Sequence, residues 1–370
     1  MSYKVVISGG GTGGHIFPAI SIANEIKSQY PDADILFIGA NGKMEMERVP
    51  AAGYKILGLP ITGFPRKISI KIFKFVRNYF KSKNLAIKIL KDFNPDFVVG
   101  VGGFASYPAL YAAKKLNIPY FIQEQNSFPG KANKKLADNA QKIFVAYDNM
   151  ERFFPKDKII ITGNPIRKDI TTIISKSNEA YNYFNIDINK KTLLILGGSL
   201  GSRTINESIV QNLNSFQSKN IQILWQTGRF YEKEMRERCD NYFKENNIEN
   251  DFIQVLPFIE KMNYAYSVAD VIVSRAGASS ISELSIVAKP VIFVPSPNVA
   301  EDHQTKNALA LSEKDAAMTI YDKDSVASLV PAVIELIDDE EKSKLLSINI
   351  KKFARPEATK DIVKEIIDLF

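Results

Sequence analysis

Short apolar runs recur along the chain, separated by longer stretches in which apolar residues return at helical spacing. Val5–Ile7, Ile35–Ile38, Phe97–Val99, Tyr120–Ile122, Ile143–Val145 and Ile159–Ile161 form one series. Thr192–Leu196, Ile221–Trp225, Val271–Val273 and Val291–Val294 form a second. Strands alternating with helices predict an α/β fold of parallel, doubly wound sheets. At 370 residues, two domains are expected. A faint internal repeat points the same way. Val5-Val6-Ile7-Ser8 entering Gly9–Gly14 is echoed by Leu193-Leu194-Ile195-Leu196 entering Gly197–Arg203, and Asp96–Gly103 is echoed by Asp270–Gly277. The turn signal Gly163-Asn164-Pro165 sets the junction, giving Rossmann-like domains over 1–163 and 164–355. Ligands of such sheets sit at the carboxyl ends of the strands, so the two glycine loops are expected to face each other across a cleft.

The first loop, Gly9-Gly10-Gly11-Thr12-Gly13-Gly14-His15, carries the strongest chemical signal. Glycines allow a tight turn and close approach of backbone N–H groups, and the following helix start favours a phosphate or developing anion. Its Gly-x-Gly-x-x-Gly spacing matches a dinucleotide fingerprint. The second strand, however, runs into Gly39-Ala40-Asn41-Gly42 with no carboxylate for a ribose, which argues against a dehydrogenase. His15 at a helix start is held towards neutral imidazole, the form a general base needs. The alternative is a histidine that fixes its own loop.

The second loop, Gly197-Gly198-Ser199-Leu200-Gly201, offers Ser199 to a phosphate oxygen. Ser274–Glu283 follows a strand and opens a helix of small residues, with Ser279 and Ser280 as donors. Glu283 is expected at the end of the first helical turn, where it would accept ribose hydroxyls or simply complement the helix dipole. Glu124-Gln125-Asn126-Ser127 and Asp302–Asn307 also follow strands and supply polar side chains suited to a sugar, while His303 reads equally well as structural. Asp32-Ala33-Asp34 and Asp322-Lys323-Asp324 have Asp-x-Asp spacing; the first pair sits just before a strand, at the wrong sheet edge, and no metal or other cofactor is expected.

Cys239 is the only cysteine, so no intramolecular disulfide forms and a reducing compartment fits. It lies in a charged helical stretch and reads as inert. The chain opens directly into its first strand, leaving no room for a signal peptide, and no apolar run reaches the ~18 residues of a membrane span. A cytoplasmic location is expected.

The net charge of +7 is concentrated in one segment. Arg48 to Lys91 contains eleven Lys and Arg and no acid; the rest of the chain is net negative. Lys67, Lys71, Lys74, Arg77 and Lys81 recur as a helical stripe. Ile68, Ile72, Phe75, Tyr79 and Ala86 make a core-like stripe, leaving Ile70, Phe73 and Phe80 outside it. Cations mixed with aromatics suit an anionic membrane surface, at about 1 kcal/mol per cation. A solvated helix is the plain alternative. RNA is a third, but no nucleic-acid module is present.

Taken together and in this order, these blocks resemble the MurG family of peptidoglycan N-acetylglucosaminyltransferases, in glycosyltransferase family 28. The resemblance rests on Gly9–Pro18, Glu124-Gln125-Asn126, Gly163–Arg167, Gly197–Arg203, Arg275–Glu283 and Asp302–Ala308. Leu200, Ser202 and Ala276 depart from its usual pattern. The resemblance implies a GT-B fold and an inverting, metal-independent transfer from UDP-N-acetylglucosamine to an undecaprenyl-linked muramyl pentapeptide. It implies a peripheral protein on the cytoplasmic face of the bacterial inner membrane, near other cell-wall synthesis proteins. The C-terminal domain would hold the donor and the N-terminal domain the acceptor, with a final helix over 356–370 crossing back. Arg167, Ser199 and Ile259 would contact the nucleotide. Ala278, Ser279, Ser280, Ile281, Ser282 and Glu283 would take the diphosphate and ribose, and Gln304 and Asn307 the sugar. Thr12, Gly13, Gly14 and Asn126 would border the donor, with His15 as the catalytic histidine. The basic–aromatic segment lies where this family places its membrane surface.

Overall fold

The computed structural model describes residues 2–63, 71–198, 200–299 and 302–370. They form two compact units, Met1–Arg167 with Arg355–Phe370, and Lys168–Ala354.

The first unit carries β1 (Lys4–Ser8), α1 (Gly13–Gln29), β2 (Asp34–Ala40), α2 (Glu45–Ala51), β3 (Lys55–Leu59), α3 (Lys71–Phe93) and β4 (Phe97–Gly100). Then come α4 (Ser106–Leu116), β5 (Tyr120–Glu124), α5 (Lys131–Leu136), β6 (Ile143–Val145) and β7 (Ile159–Ile161). The sheet is parallel, in the order β3-β2-β1-β4-β5-β6-β7. Strand side chains alternate between its faces. Val6, Val98, Ile122 and Val145 pack with Ala86 and Leu90 of α3 and Leu110 of α4. Val5, Val99, Phe121 and Phe144 pack with Ile16, Ile22 and Ile26 of α1 and with Ile362, Val363 and Ile366 of the C-terminal helix Ala358–Ile367. That helix is tied in at both ends: Thr359 Oγ1 accepts from Ile166 N (3.1 Å) and donates to Ile166 O (3.2 Å), and Lys142 Nζ donates to Glu365 O (3.2 Å) and pairs with its carboxylate (2.5 Å). Gly163, at φ +90°, makes room; a Cβ there would lie 2.6 Å from Arg355 Cβ.

The second unit begins with α6 (Lys168–Thr171), α7 (Asn178–Phe184), β8 (Lys191–Leu196), α8 (Arg203–Val210), α9 (Leu213–Ser218) and β9 (Ile221–Gln226). It continues through α10 (Glu232–Glu245), β10 (Ile253–Leu256), α11 (Met262–Val268), β11 (Val271–Ser274), α12 (Ala278–Val287) and β12 (Val291–Phe293). α13 (His303–Ser312), β13 (Met318–Thr319), α14 (Ser325–Asp338) and α15 (Glu340–Lys351) complete it. Its parallel order is β10-β9-β8-β11-β12-β13. One core joins Leu193, Ile195 and Trp225 of the sheet to Ile205, Cys239, Leu329 and Val333 of the helices. Burial pushes the Cys239 thiol up to about 11, helped by Asp240. At neutral pH it stays protonated and inert.

The internal repeat has a shared physical cause. Asp96, just before β4, accepts from Lys4 N at 2.7 Å; Asp270, just before β11, accepts from Thr192 N at 2.8 Å. Each carboxylate anchors the start of the first strand of its unit, β1 or β8. In both sheets strand order reverses beside that strand, between β1 and β4 and between β8 and β11, which puts the ligand edge at their carboxyl ends.

Along α3, Phe73 is 81% and Phe80 56% exposed, and Lys74, Arg77 and Lys81 are exposed with them. Lys67, Ile68, Ile70 and the side chain of Lys71 lie outside the described residues. Tyr79 stacks on Tyr107 of α4, while Lys83 sits 3.6 Å over the Tyr111 ring. Asp34, expected before a strand, is instead the first residue of β2.

Candidate active site

In the first unit, the turn after β1 leads into α1 at Gly13. Thr12 is extended (φ −146°, ψ 160°), and its carbonyl accepts from His15 N at 3.1 Å and Ile16 N at 3.2 Å. Its hydroxyl does not cap the helix; it lies 3.2 Å from His15 Nδ1. The imidazole rests on Gly102 and Gly103, both at positive φ. A Cβ on Gly102 would stand 2.8 Å from His15 Cδ2, so only glycine admits the ring here. When Nδ1 carries the proton and donates to Thr12 Oγ1, Nε2 presents its lone pair.

The loop is not the open row of N–H groups that its composition suggests. Gly11 N donates to Glu45 Oε2 at 3.0 Å, and Ala40 N donates to Glu45 Oε1 at 3.0 Å. Glu45 is fully buried at the start of α2. No motif marked it.

The segment after β5 also differs from expectation. Glu124 is turned inward, accepting from Asn126 N (3.0 Å), Gly130 N (3.1 Å) and Asn133 Nδ2 (2.8 Å). Burial raises its carboxyl, while these donors pull the other way. Gln125 Nε2 donates to Val101 O at 2.7 Å and to Gln123 Oε1. Glu124 and Gln125 therefore shape the loop from inside, and of this group Asn126 and Ser127 remain half-buried at the surface. Arg167 ends the unit with its guanidinium 5.9 Å from the Phe17 ring.

In the second unit, the turn after β8 is pressed against the turn after β9. A Cβ on Gly228 (φ +86°) would lie 2.3 Å from Gly201 N. Ser199 lies outside the described residues. Gln226, at the end of β9, donates to Gly198 O (3.3 Å) and accepts from Ile259 N (2.9 Å), so Ile259 is fixed beside the same turn. α12 opens at Ala278 behind an extended Gly277 that has no capping side chain, and no acid lies in its first turn. This leaves a helix N-terminus lined by Ala278, Ser279 and Ser280, suited to an anion. Ser282 Oγ donates back to Ala278 O at 3.0 Å, and Ile281 is buried. Glu283 falls in the second turn, not at the end of the first, because the helix begins at Ala278. Dipole complementation fades over that distance. Tyr266 OH holds its Oε2 at 3.0 Å.

Arg275 knits this edge together. Nη1 donates to Val294 O (2.9 Å) and Pro295 O (3.1 Å), and Nη2 donates to Ser202 Oγ (2.6 Å). Ser202 caps α8 by accepting from Ile205 N. Asp322 Oδ1 lies 2.5 Å from Arg275 Nη1 and accepts from Thr204 Oγ1 at 2.5 Å. The second Asp-x-Asp pair thus has an ion-pairing role at its first carboxylate. Gln304 Oε1 accepts from Ser296 N at 2.8 Å, fixing the turn after β12, and Asn307 is buried one turn further on α13. Among the described residues no group of three or more His, Cys, Asp or Glu is arranged to hold a metal.

Two parallel-sheet units, each with a glycine turn at its switch point and a helix start without a side-chain cap beside it, have the build of a two-domain nucleotide-sugar enzyme. The profile described as Glycosyltransferase family 28 N-terminal domain matches residues 5–145, and that of the Glycosyltransferase family 28 C-terminal domain matches 192–366. The chain belongs to glycosyltransferase family 28. A protein of Parabacteroides distasonis, named UDP-N-acetylglucosamine--N-acetylmuramyl-(pentapeptide) pyrophosphoryl-undecaprenol N-acetylglucosamine transferase, is 52% identical over 367 residues, covering 99% of this chain and 98% of its own. A Flavobacterium psychrophilum protein of the same name is 51% identical, over 99% and 98%. The crystal structure of Acinetobacter baumannii MurG superposes with a TM-score of 0.75 over 100% of both chains at 26% identity. A Neisseria meningitidis UDP-GlcNAc 2-epimerase superposes at 0.69 over 100% of both chains, with 16% identity, a likeness of fold alone.

Proposed function

We propose that this chain is an inverting glycosyltransferase. It moves N-acetylglucosamine from UDP-N-acetylglucosamine to the 4-hydroxyl of the muramyl sugar in undecaprenyl-pyrophosphoryl muramyl pentapeptide, a step of peptidoglycan synthesis. The observation that carries this reading is the 52% identity, over 99% of the chain, to a relative named for that transfer.

The second unit binds the donor. The N-terminus of α12 takes the diphosphate, Glu283 the ribose hydroxyls, Ile259 the base, and Gln304 and Asn307 the sugar. The first unit binds the acceptor and carries His15. The acceptor oxygen forms a bond to the anomeric carbon as the bond from that carbon to UDP breaks, the electron pair leaving on the diphosphate. Helix and loop N–H groups stabilise that growing charge. The hydroxyl proton passes to His15 Nε2, the ring nitrogen opposite the one that meets Thr12 Oγ1.

The enzyme works at the cytoplasmic face of the bacterial plasma membrane as a peripheral protein. No helix among the described residues is long and apolar enough to cross a membrane. Exposed Phe73 and Phe80 beside Lys74, Arg77 and Lys81 support contact with an anionic surface.

The test uses labelled UDP-N-acetylglucosamine with a lipid-linked muramyl-pentapeptide analogue in phosphatidylglycerol vesicles. Labelled glycolipid and UDP are expected, with donor unchanged when acceptor is omitted. An epimerised sugar from donor alone, or donor binding with no glycolipid, would overturn the reading.

A further inference from the structure

We propose that Glu45 is a positioning residue for His15, acting through the first glycine loop. This deepens the reading of His15 as the base and rests on it.

The carboxylate lies fully buried beneath the loop and spans two adjacent strand ends. Its Oε2 accepts from Gly11 N, which follows β1, and its Oε1 from Ala40 N, which closes β2, each at 3.0 Å. The backbone is cut to fit it. A Cβ on Gly10 would stand 2.2 Å from Oε1, and one on Gly39 2.7 Å from Glu45 Cγ. Two glycines, Gly10 in the first loop and Gly39 near the end of β2, therefore clear the space of one carboxyl group.

The contact matters because of what comes next in the chain. Gly11 directly precedes Thr12, whose carbonyl receives His15 N and whose hydroxyl meets His15 Nδ1. Thr12 gives α1 no side-chain cap, and the first turn of α1 holds no acid. The negative group that a helix start favours is supplied instead by another helix, 34 residues along the chain. Pinning Gly11 fixes the backbone of Thr12, and Thr12 in turn fixes the ring that takes the proton. It also engages the Gly11 amide, so a phosphate cannot claim it.

Glu45→Gln tests this with little change of volume. A carboxamide has one oxygen, so either Gly11 N–H or Ala40 N–H must face an NH2 group. A misplaced reacting group costs up to about 10²-fold, so kcat should fall about 10- to 100-fold while donor KM moves less than about twofold. The second readout does not depend on turnover. The chain has two histidines, His15 and His303, so ring-¹⁵N-labelled protein gives two assignable sets of signals. In Glu45→Gln the His15 ring signals should shift or broaden while those of His303 hold. Unchanged His15 signals overturn the proposal, whether kcat is intact or falls only with the folded fraction seen in a thermal melt. If the wild-type chain makes no glycolipid, the functional reading fails, and the histidine signals still decide the role of Glu45.

Discussion

His15→Ala is expected to lower kcat by about 10²–10⁴-fold, the usual contribution of a positioned base, while UDP affinity stays within about twofold. The asymmetry follows from where the residue stands. His15 belongs to the first unit, whereas the groups proposed for the nucleotide belong to the second, Lys168–Ala354. His15→Ala leaves the β8 and β9 turns, Arg275 and α12 untouched. The ring is held from two sides, by Thr12 Oγ1 at 3.2 Å and by the glycine floor at Gly102 and Gly103. His15→Gln keeps a polar side chain of similar reach but no basic nitrogen, so it should be nearly as slow as alanine. Thr12→Val should lose a smaller factor, since it removes the hydroxyl that meets Nδ1 and leaves the base. Steady-state kinetics with calorimetric titration of UDP checks all three. Near-normal turnover in His15→Ala, with donor binding intact, would assign the proton to another group.

Arg275→Ala should be the most damaging change at the donor edge. The guanidinium bonds two carbonyls after β12, the Ser202 cap of α8 and the Asp322 carboxylate, and both charged groups are only 16% exposed. Removing one partner of a buried pair costs about 3–5 kcal/mol, because the other charge is stranded. The second unit should melt several degrees lower, and donor KM should rise at least about tenfold as the β8 and β12 turns separate. Arg275→Lys should not rescue it, since an ammonium cannot bridge four acceptors in a planar fork. The double variant with Asp322→Asn should recover part of the lost melting temperature and none of the donor affinity. A donor KM unchanged in Arg275→Ala would show that these turns hold their shape without it.

The interior strands were legible because each is flanked by other strands and covered on both faces, which favours a mainly apolar run; Ile159–Ile161 was read too, an all-isoleucine run although it lies at an edge. The three that carried no such signal, Lys55–Leu59, Ile253–Leu256 and Met318–Thr319, all lie at sheet edges. An edge strand is covered on fewer sides, so Lys55, Gly58 and Gln254 are tolerated there. The place of His15 in the first turn of α1 was legible because a glycine turn and its helix start are contiguous in the chain. Glu45 was not, since nothing local distinguishes a buried carboxylate from the exposed acid Glu47 two residues on. The ion pair of Arg275 with Asp322 joins distant segments, and from spacing alone Asp322 read only as half of an Asp-x-Asp pair. Glu283 was placed a turn too early because Gly277 caps α12 without a side chain, and a cap of that kind leaves no mark in a run of small residues.

The central claim is that the chain's own helix N-terminus, loop amides and base carry the transfer, with no divalent ion at the diphosphate. Its most direct test is the rate of glycolipid formation from labelled donor and acceptor after exhaustive desalting into excess EDTA. This account predicts a rate equal to that without chelator. Loss of product in EDTA, restored by adding back magnesium or manganese, would contradict it.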